Sequence, residues 1–473
     1  MPPFAGESVP QFQPKSDSNI VTIDVGGTIF QTTKQTLTSA GNKTFFSRIS
    51  DAVSSSPRHT PFVDRDPELF SLLLSLLRTG NLPSKSKSFD LQDLIQESKF
   101  YGIENLLVNS LSNPSQFEPF NLQKSLILPL NGRDSVSAIA TTRHGSLHVA
   151  HGSKITSFDW SLRRKSTVLT QFTAVDSLLA ISPSIAAAGA NDFSGLQILD
   201  LENGFVKETL NWENVTRTGS TVQAIGSSPD YIFSSFESTR RNSNAIVVYD
   251  LHSLQQVTEI SHNEIFGADI ASALPATKLQ WVSGYNLLMA SASHGGPSGV
   301  SGNVRLWDVR SGKLVWEMAE KVDCFADVAV SDSLSVIFKI GVNSGEASYI
   351  DMRCLSDGNE WVCLGDKRKV VNGNGKKEGN GCKVETQGNQ VFCTKGGDVE
   401  LWSEVIMGNG KKNKEGGVEE EGGRRIFKKN LMGRVKDMGG GRITNLAFGG
   451  SRMFLTRKDQ QCVEVWQGSS REL

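Results

Sequence analysis

Residues 20–30 read IVTIDVGGTIF. Apolar and polar side chains alternate from Ile20 to Val25, which is the period of a strand that buries one face. The pair Gly26-Gly27 accepts the positive φ angles of a tight hairpin turn, and an extended pattern resumes at Thr28. This stretch therefore predicts a β-hairpin.

Helical signals follow the hairpin. After a short strand at Phe62-Val63, Asp66 and Pro67 predict a helix start, because Asp caps helix N-termini and Pro is tolerated at the first helical position. Gly80 suits the end of this helix. Its apolar stripe consists of Leu69, Leu73, Leu76 and Leu77. Further helices are predicted from Asp90 to about Gly102 and from Glu104 to Leu111.

The segment from Ile20 to about Leu111 resembles the BTB/POZ domain of the potassium-channel-tetramerisation-domain (KCTD) proteins. The resemblance rests on the hairpin, on TKQTL at residues 33–37, on DRDPELF at residues 64–70, on TGNLP at residues 79–83 and on ESKFYGI at residues 97–103. It implies an α+β BTB/POZ (channel-tetramerisation-like) domain that self-associates and docks on cullin-3. The candidate residues for the oligomer or cullin interface are Asp64, Arg65, Asp66, Pro67 and Phe70.

A second pattern begins after a linker and repeats along the chain. An apolar string that ends in Asp recurs as ITSFD, LQILD, IVVYD, VRLWD and ASYID, and weaker copies read VELWS and VEVWQ. The five acidic copies end at Asp159, Asp200, Asp250, Asp308 and Asp351, and the weaker ones end at Ser403 and Gln467. Seven such units, each with room for four short strands, predict a propeller.

The stretch VRLWDVRSGKLVWE at residues 304–317 resembles a WD repeat, which implies an all-β, seven-bladed, WD-repeat-like propeller. The Gly-His dipeptide of that family is absent from the chain, so its Asp-His network must be missing or substituted. The predicted structural residues of the blades are Trp307, Asp308, Asp200, Asp250 and Asp351.

Ring closure and boundaries follow from the positions of the repeats. Too few residues follow Gln467 for a last outer strand, so we expect residues 122–130, LQKSLILPL, to close the last blade and remove an exposed sheet edge. The predicted organisation is a disordered tail at 1–19, a BTB/POZ domain at 20–111, a linker at 112–121 and the propeller at 122–473, with flexible insertions at 365–381 and 408–430.

The composition is that of an ordinary globular protein. The 473 residues carry 49 basic and 50 acidic side chains, so no global positive charge favours nucleic acid or an anionic membrane as a partner. No apolar run is long enough to span a bilayer, and residues 1–19 lack the features of a signal peptide, which predicts the cytosol or the nucleus. The six cysteines form no C-x-x-C pair and are read as reduced thiols.

No catalytic, cofactor-binding or metal site is predicted, and the protein is not expected to be an enzyme. The residues His144, His148 and His151 are close in sequence, but His148 and His151 fall on opposite faces of the expected strand. Phosphate-binding, nucleophile-elbow and zinc-protease motifs are absent from the sequence. The basic tract within residues 408–430 suits a nuclear-localisation signal or an anion site, although its acidic run favours a solvated insertion.

The two resemblances together imply a substrate-specific adaptor of a cullin-3 RING E3 ubiquitin ligase. In this reading the BTB domain forms a homo-oligomer and binds the cullin, while the propeller recruits a protein target for ubiquitination. The alternative is a non-catalytic oligomeric scaffold for signalling, trafficking or channel assembly, because a fold does not by itself fix a function.

Overall fold

A computed structural model describes two compact units, which divide the chain between residues 111 and 112. The described residues are 19–41, 44–55, 60–83, 85–86, 89–111, 117–213, 219–241, 243–264, 274–296, 299–356, 358–365, 379–405, 425–430 and 441–468. The predicted tail lies outside them, except for Asn19. Within the described part, no helix is both long and apolar enough to cross a membrane.

In its described residues, the first unit contains a three-stranded sheet and five α-helices. Its elements are β1 (Ile20–Val25), β2 (Thr28–Thr33), α1 (Lys34–Thr38), α2 (Phe45–Ser55), β3 (Phe62–Val63), α3 (Pro67–Thr79), α4 (Leu91–Tyr101) and α5 (Glu104–Leu111). The strand order is β2-β1-β3, with β1 antiparallel to β2 and parallel to β3. The predicted hairpin is confirmed, because Gly26 and Gly27 have φ angles of 55° and 86°.

The predicted helix boundaries are also confirmed by their caps. The Asp66 carboxylate accepts hydrogen bonds from the backbone N–H groups at the start of α3, and Gly80 ends that helix with a left-handed φ of 72°. Asp90 and Gly102 play the same two roles for α4. The leucine stripe of α3 is buried, which explains why this helix packs into the core of the unit.

The second unit is a propeller of seven four-stranded sheets, as the repeats predict. Blade 1 contains β5 (Val136–Thr141), β6 (Leu147–His151), β7 (Lys154–Phe158) and β8 (Arg164–Leu169). Blade 2 contains β9 (Ser177–Ala180), β10 (Ile185–Ala190), β11 (Phe193–Asp200) and β12 (Phe205–Leu210). Blade 3 contains β13 (Ser220–Ser227), β14 (Tyr231–Ser238), β15 (Ser243–Asp250) and β16 (Gln256–Glu264). Blades 2 and 3 share one sheet through a single pairing of Ser194 with Thr221.

Blades 4 to 6 follow the same order. Blade 4 contains β17 (Lys278–Val282), β18 (Leu287–Gly296), β19 (Gly299–Asp308) and β20 (Lys313–Glu320). Blade 5 contains β21 (Phe325–Ser331), β22 (Val336–Gly341), β23 (Ala347–Asp351) and β24 (Val362–Cys363). Blade 6 contains β25 (Val384–Gln387), β26 (Gln390–Lys395), β27 (Asp398–Glu404) and β28 (Phe427–Asn430). The first strand of each blade contacts the first strand of its neighbours, so these strands line the centre of the ring.

Blade 7 is closed by the strand that precedes blade 1. It consists of β29 (Ile443–Gly449), β30 (Arg452–Arg457) and β31 (Cys462–Gly468), with β4 (Leu122–Pro129) as its outer strand. The pairing runs from Leu122 opposite Gly468 to Pro129 opposite Cys462. The predicted closure is therefore confirmed, and it joins the two ends of the ring by backbone hydrogen bonds.

The antiparallel order gives each blade two ends. Numbering the strands of a blade A to D outward from the centre, the A–B and C–D turns lie at one end, which we call the turn face. The B–C turns and the connections between blades lie at the other end, which we call the loop face.

Two predicted boundaries need correction. The predicted linker 112–121 is too long, because Phe117 packs into the core of blades 6 and 7 and therefore belongs to the propeller. The predicted insertion 408–430 is also too long, because Phe427–Asn430 forms the outer strand of blade 6. Phe427 is buried against Phe338 and Tyr349, with ring centroids 5.5 and 5.0 Å away. Residues 366–378 and 406–424, which make up most of the two insertions, lie outside the described residues.

Candidate interaction surfaces

The Asp64 to Phe70 segment packs against the glycine turn of the hairpin. The N–H of Gly26 donates to the carbonyl of Val63 at 3.0 Å. A Cβ atom on Gly26 would lie 2.5 Å from the Arg65 carbonyl oxygen, so only glycine fits this contact without a shift of the backbone. The close contact of Gly26 with Val63 and Arg65 therefore fixes the path of the chain into α3.

Within this segment, Arg65 and Asp66 both have partners inside the domain. Arg65 donates to a Glu97 carboxylate oxygen at 3.3 Å and lies over the Phe100 ring, 4.0 Å from its centroid. Burial raises the pKa of Glu97, although the positive charge of Arg65 opposes this effect. Arg65 thus braces α4, while Asp66 caps α3.

Phe70 cannot be a contact residue as predicted, because its side chain has no exposed surface. It lies 4.8 Å from Phe30 and 5.5 Å from Tyr101 between ring centroids. Of the five predicted interface residues, Asp64, Arg65 and Asp66 are exposed and Pro67 is half-buried. The prediction is therefore corrected for Phe70, and the other four remain candidates.

An exposed apolar row lies on the outer face of the BTB sheet, and the sequence interpretation missed it. Ile29 and Phe62 pair with Asp24 from opposite sides and are 57% and 61% exposed. One carboxylate oxygen of Asp24 is shielded from solvent without a hydrogen-bond partner among the described residues. Exposed apolar side chains grouped in this way are typical of protein interfaces. The sequence signal that could have revealed this row is the alternation of side chains along β1. Val21 and Ile23 face the core, so Asp24 and its neighbours across the sheet face outward.

The repeated aspartates of the propeller cap the C–D turns. Asp200 accepts hydrogen bonds from the N–H groups of Glu202 and Asn203, at 3.0 and 2.9 Å. Asp250 and Asp308 make equivalent bonds in their own blades. These hydrogen bonds lower the pKa of each of these three carboxyl groups.

Asp351 also caps a turn but belongs to a larger cluster. It binds the Arg353 backbone and side chain, and it lies 3.4 Å from an Arg425 guanidinium nitrogen. Arg425 also forms a two-pronged ion pair with Glu404. Although burial alone would raise it, the pKa of Asp351 is lowered by the Arg353 hydrogen bonds and both arginine charges. Arg425, near the end of the predicted basic tract, is therefore bound to the edges of blades 5 and 6.

The tryptophans at the repeat positions differ in their polar contacts. Trp307 is half-buried against the core between blades 3 and 4, and its indole N–H is shielded without a partner among the described residues. In blade 7, Trp466 donates to Glu464 at 3.1 Å.

Two buried cations, Arg457 and Lys339, hold neighbouring blades together. Arg457 has no exposed side chain, pairs with Glu464 at 3.0 Å and donates to the carbonyls of Gly397 and Gly441. Lys339 pairs with Glu320 at 3.0 Å and is also buried. These contacts join blade 7 to blade 6 and blade 5 to blade 4. They provide polar links in a chain that lacks the Gly-His dipeptide of the WD repeat.

A cavity of about 380 Å³ opens at the centre of the ring, near the loop face. Lys278 of blade 4 spans its wall and lies 3.0 Å from Asp327 of blade 5 and 3.1 Å from Glu385 of blade 6. Burial acts to lower the pKa of Lys278, but the two carboxylates outweigh burial and raise this pKa. Burial raises the pKa of Glu385. The three charges satisfy one another and join three blades.

The histidines of blade 1 do not converge. His148 bonds to the Ser157 hydroxyl and the Ser182 carbonyl, both at 3.1 Å, whereas His151 bonds to the Thr156 hydroxyl at 2.9 Å. Burial lowers the pKa of both imidazoles. Their partners identify them as packed side chains between strands and blades.

Comparisons with known proteins agree with this architecture. Residues 21–111 match the BTB/POZ domain, and residues 131–468 match the family described as At2g24240-like, C-terminal beta propeller. Domains of these two kinds typically serve as interaction modules.

Similar proteins match either nearly the whole chain or its BTB unit alone. The BTB/POZ domain-containing protein At5g41330 of Arabidopsis thaliana is 60% identical over 96% of this chain and 97% of its own length. At4g30940 from the same organism is 26% identical over 94% of this chain and 97% of its own length. Human KCTD3 is 39% identical over 19% of this chain and 11% of its own length. The chain therefore belongs to the family of BTB/POZ domain proteins that carry an At2g24240-like β-propeller at their C-terminus.

Proposed function

We propose that this protein is a non-enzymatic, substrate-specific adaptor of a cullin-3 RING ubiquitin ligase. Its BTB unit binds the cullin and self-associates, and its propeller recruits the protein to be ubiquitinated. The observation that carries this proposal is the combination of a KCTD-like BTB unit, which displays an exposed apolar row, with a complete propeller. The proposal places the protein in the cytosol or the nucleus, where cullin ligases work.

Proximity is the mechanism of such an adaptor. Holding a target lysine near a ubiquitin-charged enzyme raises the effective concentration of the reactants, and this effect needs no catalytic side chain in the adaptor. The separate cores of the two units suit this division of work, because each unit can present its own surface to a different partner.

A pull-down with the purified full chain tests the proposal. The chain is immobilised and exposed to the N-terminal domain of cullin-3, with the N-terminal domain of a different cullin as the matched control. We expect retention of cullin-3 alone, at low micromolar affinity. Retention of neither cullin by a folded chain would withdraw the ligase assignment and favour the oligomeric scaffold.

A further inference from the structure

A buried arginine lies on the turn face, where blade 7 meets blade 1. Arg452, at the start of β30, is 7% exposed, and one of its guanidinium N–H groups donates to the Trp160 carbonyl at 2.5 Å. Burial lowers the pKa of Arg452 to about 10, with Asp159 opposing the effect, so the side chain is still a cation at neutral pH. Among the described residues, no carboxylate forms a salt bridge with it.

Asp159 is the nearby acid, but its carboxylate is engaged in its own turn. It accepts from the backbone N–H of Ser161 at 2.9 Å, from the Ser161 hydroxyl at 2.6 Å and from the Arg163 N–H at 3.0 Å. Lys165 lies 3.8 Å from the same carboxylate. A buried charge without a matched partner is costly, and such groups are concentrated at functional sites.

Three turns meet around Arg452 and form a basic patch. The A–B turn of blade 1 packs on that of blade 7, because a Cβ on Gly145 would lie 3.3 Å from the Gly449 carbonyl oxygen. The Arg452 hydrogen bond joins these turns to the C–D turn of blade 1. The exposed cations of the patch are Arg143, Arg163, Arg164 and Lys165. With Arg452 they place five positive charges around these turns, in a chain whose net charge is -1.

We propose that this patch binds an acidic, carboxylate-rich segment of a partner protein. The four exposed cations supply its contact surface, and the positive charge of the buried Arg452, which lies beneath the turns beside the half-buried Trp160, adds to their attraction for carboxylates. A short peptide fits better than nucleic acid, because the five cations cluster on blades 1 and 7 and a chain whose net charge is -1 carries no general excess of cations.

This inference deepens the proposed function, since it names the chemistry of a target that the adaptor would recruit. Peptide binding itself does not require the cullin. Loss of peptide binding and loss of cullin binding are therefore separate results.

Fluorescence anisotropy with the full chain tests the patch. The probes are a labelled decapeptide with six Glu residues and the same peptide with Gln at those positions. We expect the Glu peptide to bind and the Arg143→Ser/Arg163→Ser variant to bind it about tenfold more weakly, since both side chains are exposed and have no side-chain partner among the described residues. The matched control, Arg310→Ser/Lys313→Ser, removes two exposed cations from the C–D turn of blade 4 and should bind like the parent.

Arg452→Gln tests the buried charge beneath the patch. It should also weaken binding of the Glu peptide, and melting curves show whether the variant has folded. If it does not fold, the surface variant and its control still decide the result. Equal binding of the Glu and Gln peptides, or equal losses in the blade 1 and blade 4 variants, would overturn the proposal. Tighter binding of a single-stranded oligonucleotide of matched charge would overturn it in favour of nucleic acid.

Discussion

The aspartate that ends each acidic repeat shows how one residue type serves the same purpose in several blades. Its position was readable in the sequence, because Asp accepts hydrogen bonds from backbone N–H groups two or three residues ahead. Asp200, Asp250 and Asp308 follow this rule. The link between Asp351 and Arg425 could not be read in the same way, because the two residues lie far apart in sequence and meet only through the packing of blades 5 and 6.

These caps predict a loss of stability in acid. The carboxyls of Asp200, Asp250 and Asp308 have folded-state pKa values below the ordinary 3.8. Their stabilising contribution is complete above the unfolded-state value and is lost as the pH falls through the lower folded-state values. Replacing all three with Asn keeps an acceptor oxygen but removes the titration. We expect the melting temperature of the parent to fall more steeply than that of the triple variant between about pH 4 and pH 2; parallel curves would contradict this role.

The Arg457–Glu464 pair predicts a large loss from a single substitution. Among the described residues, Arg457→Met leaves the buried Glu464 carboxylate with only Lys124, 3.6 Å away, and the Trp466 N–H as partners, which should lower the free energy of unfolding in urea by about 2–3 kcal/mol. Replacing both residues with Met should recover most of that loss, because no unpaired charge is left in the core.

The control for this prediction is an ion pair whose cation is exposed. Arg353→Met breaks the ion pair with Asp351 at the surface and should cost less than about 1 kcal/mol. Similar costs for Arg353→Met and Arg457→Met would show that burial does not set the strength of the Arg457 contact.

The closing strand is the element whose role followed most directly from the sequence. Residues 122–130 have the pattern of a strand that belongs to none of the seven repeats, and the structure pairs this strand with β31 of blade 7. The outer strand of blade 6 was missed for the opposite reason. Phe427 is flanked by basic residues next to a glycine-rich stretch, so local composition hid a strand whose burial comes from contacts with blade 5.

Removal of the closing strand should destabilise the propeller. A chain that starts at residue 130 lacks β4, which exposes the edge of β31 and uncovers the apolar contacts of Leu128. Compared with a chain that starts at residue 115, we expect aggregation or a much lower melting temperature. Equal melting temperatures would mean that the ring is held closed without this strand.

At the scale of the whole molecule, the repeats and motifs predicted both domains, whereas the surfaces required the structure. The net charge of -1 gave no sign of the basic patch, because its cations come from two segments of blade 1 and from the start of β30 in blade 7, which meet only in the folded propeller. The BTB motif likewise drew attention to Phe70, which is buried, and away from Ile29 and Phe62, which are exposed.

The proposed self-association of the BTB unit should depend on the apolar row of its sheet. Ile29→Ser/Phe62→Ser removes exposed apolar surface without touching the core, so light scattering should show a fall from an oligomer to the 51.4 kDa single chain. The control, Val257→Ser/Val315→Ser, alters two valines exposed on propeller outer strands and should leave the mass unchanged. An unchanged mass in the first variant would place the self-association surface elsewhere.

The adaptor role itself is tested most directly by the mass of a complex. The full chain is mixed with the N-terminal domain of cullin-3 and analysed by size-exclusion chromatography with multi-angle light scattering. We predict one peak that contains both proteins, with a mass equal to a BTB oligomer carrying bound cullin domains. Two separate peaks with the masses of the free proteins, from a chain that is folded and oligomeric, would contradict the ligase assignment.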